Sequence, residues 1–428
     1  MNIKEIYSVY LEHSTICTDT RKIVKDSLFF ALKGENFNGN TFADKALELG
    51  CSFAIVDEDI DFKSDRIIKV DDVLTCLQDL ARYHRDQIKI PIIGITGTNG
   101  KTTTKELIFS VLSTKFKTFA TAGNLNNHIG VPLSILSIKD EHEIAIIEMG
   151  ANHPYEIAFL CTISKPNLGV ITNIGKAHLE GFGNIETVTE TKKALYNHLN
   201  ANDGIIFYNQ SNDILSKLEK TCKTFSYGSV DSDNKGELIS SSPYLVLELL
   251  SKKGHLLVKT NLIGSYNFEN VMAAVSIGHY FDIDDMNIKK ALENYIPSNH
   301  RSQLIKTENN TIIMDSYNAN PTSMKAAIEN FTNMTFKNKS LLLGDMFELG
   351  ENSDDEHRNI IKLIEDGTYT NIFLVGNHFF NIDSSISIHK FEETNQLLEY
   401  LSENKILDQI ILIKGSRGMK LERCLDYL

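Results

Sequence analysis

Short apolar runs rich in β-branched residues alternate with helical patterns from about residue 88 to the end of the chain. This alternation is typical of parallel α/β sheets, whose strands end in functional loops. The strands predicted in this way form two series, at 92–96, 143–149, 168–172 and 204–208, and then at 311–314, 340–343, 372–375 and 409–413.

A polar stretch with one proline, residues 295–303, separates the two series and predicts a domain link near residue 298. The first 88 residues have enough predicted elements for a small domain of their own. These elements are strands at 27–31, 53–57 and 67–70 and a helix at 42–49. Residues 228–260 predict an antiparallel meander with a polar tip at 231–237. We therefore expect an α/β protein with three domains, at 1–88, 89–298 and 299–428.

Composition narrows the possible partners of these domains. The 428 residues carry a formal net charge of -13 and have no Lys/Arg-rich run, so nucleic-acid binding is disfavoured. Any anionic substrate must be held by a local cationic site. Six scattered cysteines without a C-x-x-C pair fit reduced thiols rather than a disulfide frame or zinc site. No signal-like start and no apolar stretch of ~20 residues is present, so we expect a cytoplasmic protein without a membrane partner.

The strand at 92–96 runs into a glycine-rich turn and a helix start. Gly97 and Gly100 permit a tight turn that aims backbone N–H groups and the helix N-terminus at a polyphosphate. Lys101 can then reach the β- and γ-phosphates of ATP, and the Thr102 hydroxyl can ligate Mg²⁺. The candidate phosphate-binding residues are Gly97, Thr98, Asn99, Gly100, Lys101, Thr102 and Thr103. Ile95 occupies the first glycine position of the usual pattern, so this is a variant loop; the alternative is a turn that binds nothing.

Two further side chains follow predicted strands. Glu148 stands at the carboxyl end of the strand at 143–149, where a metal-organising carboxylate is expected beside a phosphate loop. His178 follows the strand at 168–172 and can join the cluster as a metal ligand or phosphate contact. The alternatives are a surface glutamate at a strand end and a structural histidine.

The order of four segments, 96–102, 124–132, 148–150 and 172–179, strengthens the functional interpretation. The chain resembles, over nearly its whole length, the ATP-dependent Mur ligases of peptidoglycan synthesis, a superfamily that includes folylpolyglutamate synthetase. In further segments the chain resembles the branch of this superfamily that adds D-alanyl-D-alanine. These segments are 18–21, 28–35, 315–324, 343–350 with His357, and 414–419.

The resemblance implies a small UDP-substrate domain, a central P-loop ATPase-like domain with a mostly parallel sheet, and a C-terminal Rossmann-like domain. It also implies ATP-driven amide formation between UDP-N-acetylmuramoyl-tripeptide and D-alanyl-D-alanine. The tripeptide carboxylate would attack the γ-phosphate to give an acyl phosphate, which the dipeptide amine would then attack. All partners would be small molecules, and we expect a monomer.

Lys192 falls where the family has a lysine that reacts with CO₂ to form a carbamate, an anionic ligand for a second Mg²⁺. The resemblance implies that Thr102, Glu148, His178 and Lys192 organise the metal ions. The alternative is a solvated helix lysine. Lys193 is adjacent, and Ala194 replaces an acidic residue that the family commonly has.

The resemblance implies further binding residues in all three domains. Asn267, Asn270, Arg301 and Asp315 match positions near ATP, although Tyr266 replaces the usual histidine of the 264–270 motif. The residues expected near the other substrates are Asp19, Thr20, Arg21, Asn124, Asn127, Asn318, Asn320, Lys414 and Arg417. Helix capping, turn chemistry and solvated surface charge are the corresponding structural alternatives.

Two other functions compete with this interpretation. One is a related amide ligase with a different acceptor, such as an amino-acid-adding muramyl ligase or a folylpolyglutamate synthetase-like enzyme; the segments 315–321 and 343–346 argue against it. The other is a nucleotide-binding regulator or scaffold that hydrolyses ATP slowly or not at all. The presence of Lys101, Thr102, Glu148 and His178 argues against that function.

Overall fold

Three large β-sheets follow one another along the chain in the computed structural model, which describes residues 1–61, 64–229, 231–251, 254–298 and 301–428. The sheets lie within the three predicted segments, and the expected three-domain α/β fold class is confirmed. The predicted boundary at 298 and 299 adjoins residues outside the described ranges and, like the boundary at 88, stays a prediction. Nowhere in the described ranges is a helix both long and apolar enough to cross a membrane.

The first segment contains a parallel sheet in the order β1-β2-β5-β6 and a small β3-β4 hairpin. Strands β1–β6 are Ile16–Cys17, Leu28–Phe30, Lys33–Gly34, Phe37–Asn38, Phe53–Val56 and Ile67–Lys69, and helices α1–α3 are Ile3–Glu12, Ala43–Glu48 and Val73–Gln87. Asn2 and Asp72 start α1 and α3 by accepting hydrogen bonds from free backbone N–H groups of the first turn.

The middle segment forms a nine-stranded sheet in the order β15-β14-β13-β12-β11-β10-β7-β9-β8. Strands β7–β15 are Ile92–Thr96, Thr118–Ala120, Ile144–Glu148, Leu168–Ile171, Ile205–Asn209, Lys223–Gly228, Asn234–Ser240, Val246–Ser251 and Gly254–Lys259. Helices α4–α10 are Lys101–Leu112, Gly130–Leu136, Glu156–Ser164, Leu179–Phe182, Ile185–Ala201, Asn267–Tyr280 and Asp285–Asn294. Strands β13–β15 are antiparallel, as the predicted meander requires. The predicted polar tip is wrong in part, because Asn234 already begins β13.

Strand β7 is hydrogen-bonded to β10 on one side and to β9 on the other, so the order of the strands reverses its direction at β7. Such a reversal of strand order opens a crevice at the carboxyl ends of parallel strands, which is where α/β sheets bind ligands. All five residues of β7 are buried, since helices cover both faces of the sheet. The predicted phosphate loop therefore starts from a rigid central strand.

The C-terminal segment forms a six-stranded sheet in the order β16-β17-β21-β18-β19-β20, parallel except for β16. Strands β16–β21 are Gln303–Lys306, Thr311–Asp315, Lys339–Gly344, Asn371–Val375, His389–Phe391 and Ile410–Lys414, and helices α11–α14 are Pro321–Thr332, Ser353–Glu365, Asn377–Phe380 and Thr394–Glu403. The register of β17 and β21 places Asp315 beside Lys414 at their carboxyl ends.

Helix α3 joins the first sheet to the middle domain through a buried arginine. The Arg85 guanidinium donates hydrogen bonds to the backbone carbonyls of Ser164, Lys165 and Ile88, each at 2.9 Å, and to Asn167 Oδ1 at 3.1 Å. Only 7 % of Arg85 is exposed. The carbonyl groups of Ser164 and Lys165 at the end of α6 therefore accept hydrogen bonds from Arg85 of α3.

We expect Arg85→Met to lower the free energy of unfolding by about 2–4 kcal/mol, because several buried carbonyl groups lose a charged donor. Urea unfolding followed by far-UV circular dichroism measures the loss. The control is Arg82→Met on the same helix, where a partly exposed ion pair with Asp79 is broken at a cost of about 1 kcal/mol or less. Equal losses in the two variants would contradict the bridging role of Arg85.

Candidate active site

A cleft of about 620 Å³ lies at the carboxyl ends of β7 and β9 and faces the carboxyl ends of β17 and β21 of the C-terminal domain. Most of the predicted site residues line it. From the middle domain these are Thr98, Asn99, Gly100, Lys101, Thr102, Thr103, Asn124, Asn127, Glu148, His178, Asn267 and Asn270. From the C-terminal domain they are Arg301, Asp315, Asn318, Asn320 and Lys414.

The loop between β7 and α4 wraps tightly because two glycines take left-handed conformations. The φ angle is 143° at Gly97 and 77° at Gly100. A Cβ atom added at Gly97 would lie 2.0 Å from Thr172 Oγ1, so the loop could not sit this close to β10 with any larger residue. Gly97 lies behind the cleft surface and shapes the loop, while Thr98 to Thr103 line the cleft.

Lys101 begins α4 and folds back over this loop. Its Nζ donates hydrogen bonds to the carbonyl oxygens of Gly97 at 2.8 Å and Thr98 at 3.0 Å. Burial lowers the pKa of Lys101 to about 8, while the negative charge of Glu148 opposes the shift. A cation held at the mouth of a helix N-terminus and a tight loop is suited to an anionic ligand.

Glu148, the last residue of β9, is 1 % exposed and lies in a polar cluster. Its Oε1 accepts hydrogen bonds from Thr102 Oγ1 at 3.2 Å and Asn126 Nδ2 at 2.9 Å. Its Oε2 lies 3.7 Å from Lys105 Nζ and has no hydrogen-bond partner among the described residues. A buried carboxylate oxygen without a hydrogen bond is costly unless a cation or another donor approaches it.

His178 lies at the start of α7 with a left-handed φ of 51°. Its Nδ1 contacts the carboxylate of Glu348, which belongs to the C-terminal domain. This contact lowers the pKa of Glu348. His178 thus faces the cleft from the middle domain, and its Nδ1 is buried without a hydrogen-bond partner among the described residues.

Lys192 lies in α8, outside the cleft lining, and is 2 % exposed. Burial lowers its pKa well below the ordinary lysine value, and the nearby positive charge of Lys101 lowers it further. The Nζ atom lies 5.7 Å from the centre of the Phe182 ring. The neighbouring Lys193 pairs instead with Glu190 on the same helix at 3.6 Å, so only Lys192 points towards the charged cluster around Lys101.

Asn267 and Asn270 lie in the first turn of α9 and connect this helix to the phosphate loop. Asn270 Nδ2 donates to Asn267 Oδ1 at 2.9 Å, and Asn270 Oδ1 accepts from Thr104 Oγ1 at 3.0 Å. Tyr266, just before them, shares a hydrogen bond of 2.8 Å between its hydroxyl and Ser302 Oγ. Both asparagines have structural partners and still line the cleft.

The C-terminal wall of the cleft carries two positive groups. Lys414 Nζ donates to Asp315 Oδ2 at 2.5 Å, and the pair sits where β17 and β21 end. The Arg301 guanidinium carbon lies 3.7 Å from the centre of the Tyr317 ring, and that of Arg417 lies 5.0 Å from the same ring. Arg301 Nε is buried and has no hydrogen-bond partner among the described residues. The tyrosine ring therefore packs against Arg301 at the cleft wall and against Arg417 outside the cleft lining.

Asparagine side chains connect the two walls. Asn320 Nδ2 donates to Asn99 Oδ1 at 2.7 Å, and Asn320 also caps α11 by accepting a hydrogen bond from Ser323 N–H at 2.9 Å. Asn318 accepts from the Ala319 N–H at 2.9 Å, as turn chemistry requires. Asn127 likewise accepts from Gly130 N–H at 2.9 Å at the start of α5, so these cleft residues also order their own backbone.

Several predicted site residues lie away from the cleft lining. Thr20 and Arg21 begin the short 3-10 helix Thr20–Lys22 of the first domain, and Asp19 caps it by accepting a hydrogen bond from the Arg21 N–H. Hydrogen bonds from the Arg21 guanidinium and backbone hold the pKa of Asp19 at about 2, and 87 % of the Arg21 side chain is exposed. Arg417 also lies outside the lining and approaches it only through Tyr317. Their substrate-binding roles stay predictions.

Sequence reasoning missed several residues that shape the site. Asn126 lies between two predicted residues, and its position in the segment 124–132 is the signal that could have found it. Tyr317 is within the motif 315–324, where an aromatic residue between polar ones is a weaker signal. Glu348 lies within the segment 343–350, and that position is the signal that could have found it. The contact of Lys105 with Glu148 is visible only in the structure, because the two residues are distant in sequence.

The comparisons with known proteins agree with this architecture. The Mur ligase middle domain profile matches residues 95–278, and the profile of the Mur ligase glutamate ligase domain matches residues 300–417. The chain is therefore a Mur ligase by its domains. It is 35 % identical to the UDP-N-acetylmuramoyl-tripeptide–D-alanyl-D-alanine ligase of Bacillus subtilis over 96 % of this chain and 92 % of the relative.

Solved structures show the same relationship. A crystal structure of MurF from Acinetobacter baumannii has a TM-score of 0.86 at 31 % identity, covering 96 % of this chain and 92 % of the other. MurF ligase from Thermotoga maritima in complex with ADP has a TM-score of 0.85 at 27 % identity, covering 97 % of both chains. The chain belongs to the UDP-N-acetylmuramoyl-tripeptide–D-alanyl-D-alanine ligase family, and the resemblance inferred from its motifs is confirmed.

We expect Gly97→Ala to lower the free energy of unfolding by about 2–5 kcal/mol, because left-handed strain and overpacking against Thr172 each cost about 1–3 kcal/mol. Urea unfolding measures the loss. Gly254→Ala is the matched control, since Gly254 has a φ of 127° and no atom of the described residues lies within 4 Å of an added Cβ, so this variant reports backbone strain. If both variants lost the same stability, close packing against Thr172 would play no part.

Proposed function

We propose that this chain joins D-alanyl-D-alanine to UDP-N-acetylmuramoyl-tripeptide at the expense of ATP. The observation that carries the proposal is one cleft in which the phosphate loop faces the C-terminal motifs around Asp315 and Lys414. The relatives of the chain carry the name of the corresponding enzyme. An acceptor bound on the C-terminal wall would meet a carboxylate activated on the middle-domain wall.

The reaction proceeds in two steps whose atoms balance. A carboxylate oxygen of the tripeptide bonds to the γ-phosphorus of ATP while the bond to the bridging oxygen breaks, which gives an acyl phosphate and ADP. The amine of D-alanyl-D-alanine then bonds to the acyl carbon, loses a proton, and inorganic phosphate leaves. Both steps gather negative charge in one place, so positive groups must offset the repulsion.

The cleft supplies that positive charge within a protein of net charge -13. On the middle-domain side, residues 97–103 would hold the ATP phosphates with backbone N–H groups and the helix α4 N-terminus. Lys101 would exchange its carbonyl partners for the γ-phosphate, whose negative charge favours the protonated amine. Arg301, Asp315, Asn267 and Asn270 would complete the nucleotide site.

The residues around Glu148 fit Mg²⁺. The buried Oε2 atom without a hydrogen-bond partner and the adjacent Thr102 hydroxyl are oxygen donors of the kind that Mg²⁺ prefers. No group of three or more His, Cys, Asp or Glu side chains in the described ranges could hold a metal ion. Mg²⁺ needs no such group, since it commonly uses one or two carboxylates together with phosphate oxygens and water. When bound, it neutralises charge on the phosphates.

Thr102, Glu148, His178 and a carbamate on Lys192 would hold the metal ions. CO₂ reacts with a neutral amine, and burial lowers the pKa of Lys192, which favours that form. The carbamate would place an anion beside the positive charge of Lys101 and would create an oxygen ligand.

We assign the remaining predicted residues to the other two substrates. Residues 1–88 would bind the UDP end of the sugar nucleotide through Asp19, Thr20 and Arg21, since an exposed guanidinium suits a diphosphate. Residues 89–298 would hold ATP, and residues 299–428 the dipeptide. The side chains nearest the reacting peptide groups would be Asn124, Asn127, Asn318, Asn320, Lys414 and Arg417. All of these groups belong to one chain, so a monomer suffices.

Phosphate release tests the proposal. The full-length protein is given ATP, Mg²⁺ and UDP-N-acetylmuramoyl-tripeptide with D-alanyl-D-alanine, with single amino acids, or with no acceptor, and separately folate with glutamate. We expect release that requires D-alanyl-D-alanine, and loss of nearly all turnover in Lys101→Ala, because one transition-state charge contact is worth about 3–4 kcal/mol. Release with another acceptor alone would overturn the assignment.

Carbamate formation is tested on Lys192 and its neighbour. We expect Lys192→Ala to lose about 10²-fold or more in turnover, as removal of a charge-organising group does, and bicarbonate to raise the activity of CO₂-depleted wild-type protein. Lys193→Ala is the control, since that lysine pairs with Glu190 at the surface and should retain activity. Normal turnover in Lys192→Ala, with no bicarbonate effect on the wild type, would exclude the carbamate role.

A further inference from the structure

The short segment just before α9 belongs to the middle part of the sequence but packs against the C-terminal domain. Ile263 is 1 % exposed and lies in the hydrophobic core that α11 and α12 share with the C-terminal sheet. The Ser265 N–H donates to Asn330 Oδ1 of α11 at 3.3 Å. The Tyr266 hydroxyl shares a hydrogen bond of 2.8 Å with Ser302 Oγ. This segment therefore connects the two domains beside the cleft, which Tyr266 lines.

Ser302 has a strained backbone that the surrounding structure must hold. Its φ angle is 49°, in the left-handed region that non-glycine residues seldom adopt, and only 7 % of the residue is exposed. Strained conformations of this kind persist where neighbouring groups fix them, and they concentrate at functional sites. The hydrogen bond with the Tyr266 hydroxyl is one of the contacts that fix Ser302.

Ser302 in turn holds Asp315 at the end of β17. The Ser302 N–H donates to Asp315 Oδ1 at 3.1 Å, and Ser302 Oγ lies 3.5 Å from the same oxygen. The other oxygen of Asp315, Oδ2, accepts a hydrogen bond from Lys414 Nζ at 2.5 Å. The carboxylate is thus fixed between Ser302 and Lys414, and all three residues line the cleft.

The position of the Tyr266 hydroxyl is itself determined by close packing. Gly264 has a φ of 95°, and a Cβ atom added to it would lie 2.4 Å from Cε1 of Tyr266, so the ring lies directly over this glycine. Burial and the negative charge of Asp315 raise the pKa of Tyr266, which keeps the hydroxyl protonated. A protonated phenol in a fixed position therefore contacts Ser302.

We propose that Tyr266 is a positioning residue for the nucleotide: its hydroxyl holds Ser302 and, through Ser302, keeps the Asp315 carboxylate in position to contact ATP or ADP. The inference rests on the nucleotide-binding role that the proposed function gives to Asp315. It adds that a side chain of the middle domain sets the geometry of a nucleotide contact on the opposite wall. Asn270, four residues further on, accepts a hydrogen bond from Thr104 of α4, so the start of α9 contacts both walls of the cleft.

The chain offers a matched control for the loss of this hydroxyl. Tyr369 stands two residues after Gly367, and a Cβ atom added to this glycine would again lie 2.4 Å from the tyrosine ring. This arrangement repeats that of Tyr266 over Gly264. The Tyr369 hydroxyl shares a hydrogen bond of 2.5 Å with Thr332 Oγ1 within the C-terminal domain, outside the cleft lining. Tyr369→Phe therefore removes the same kind of bond without changing the nucleotide site.

The test is isothermal titration calorimetry of the full-length protein with ADP and Mg²⁺ in the absence of the other substrates. We expect Tyr266→Phe and Ser302→Ala each to weaken ADP binding about 3- to 10-fold, as the loss of one neutral hydrogen bond does. The double variant should bind ADP no more weakly than the weaker single variant, because both changes remove the same contact. Tyr369→Phe should bind ADP with the affinity of the wild type.

The outcomes separate this inference from the proposed function. Unchanged ADP affinity in Tyr266→Phe would overturn the positioning role, and so would equal weakening in Tyr369→Phe or additive losses in the double variant. ADP binding is measured without the tripeptide and the dipeptide, so these results do not depend on the ligase reaction. A wild-type protein that binds ADP but releases no phosphate with D-alanyl-D-alanine would overturn the proposed function and leave the role of Tyr266 intact. Far-UV circular dichroism establishes that each variant is folded.

Discussion

The hydrogen bonds between the loop after β7 and the end of β10 are the constraint on which the cleft depends. The Thr98 N–H donates to the Asn173 carbonyl at 2.9 Å, the Asn99 N–H donates to Asn173 Oδ1 at 2.9 Å, and Thr172 Oγ1 donates to the Asn99 carbonyl at 2.6 Å. Because unpaired buried backbone groups cost free energy, these hydrogen bonds hold the loop in one conformation. Lys101 then starts α4 from a fixed point.

The same loop determines how the two walls of the cleft meet. Asn99, held by β10, bonds to Asn320, which also caps α11 of the C-terminal domain. Since the amide of Asn320 serves both contacts, the start of α11 and the phosphate loop are fixed relative to each other. Lys101 and Glu148 on one wall and Arg301 and Asp315 on the other are thus brought into one cleft.

The sequence predicted those parts of the molecule that depend on local pattern. Buried parallel strands read as continuous apolar runs, so β7 was found at its observed bounds, and Glu148 followed from its place at a strand end. The start of β13 was missed because Asn234 and Lys235 resemble turn residues and pair only through neighbouring strands. The Arg301–Tyr317–Arg417 stack and the Glu348 contact arise from tertiary packing, which no local pattern encodes.

An acyl phosphate must be formed only when it can be used, because water competes with the amine for its carbonyl carbon. The hydrogen bond between Asn99 and Asn320 offers a physical means of ensuring this. Because this bond fixes the phosphate loop against the start of α11, the groups that would favour phosphoryl transfer are gathered only with the C-terminal domain in place. The same domain would bring the dipeptide acceptor. Activation of the carboxylate and delivery of the amine would then both require the C-terminal domain to lie against the middle domain. Separate sites on independent domains could not impose this shared requirement.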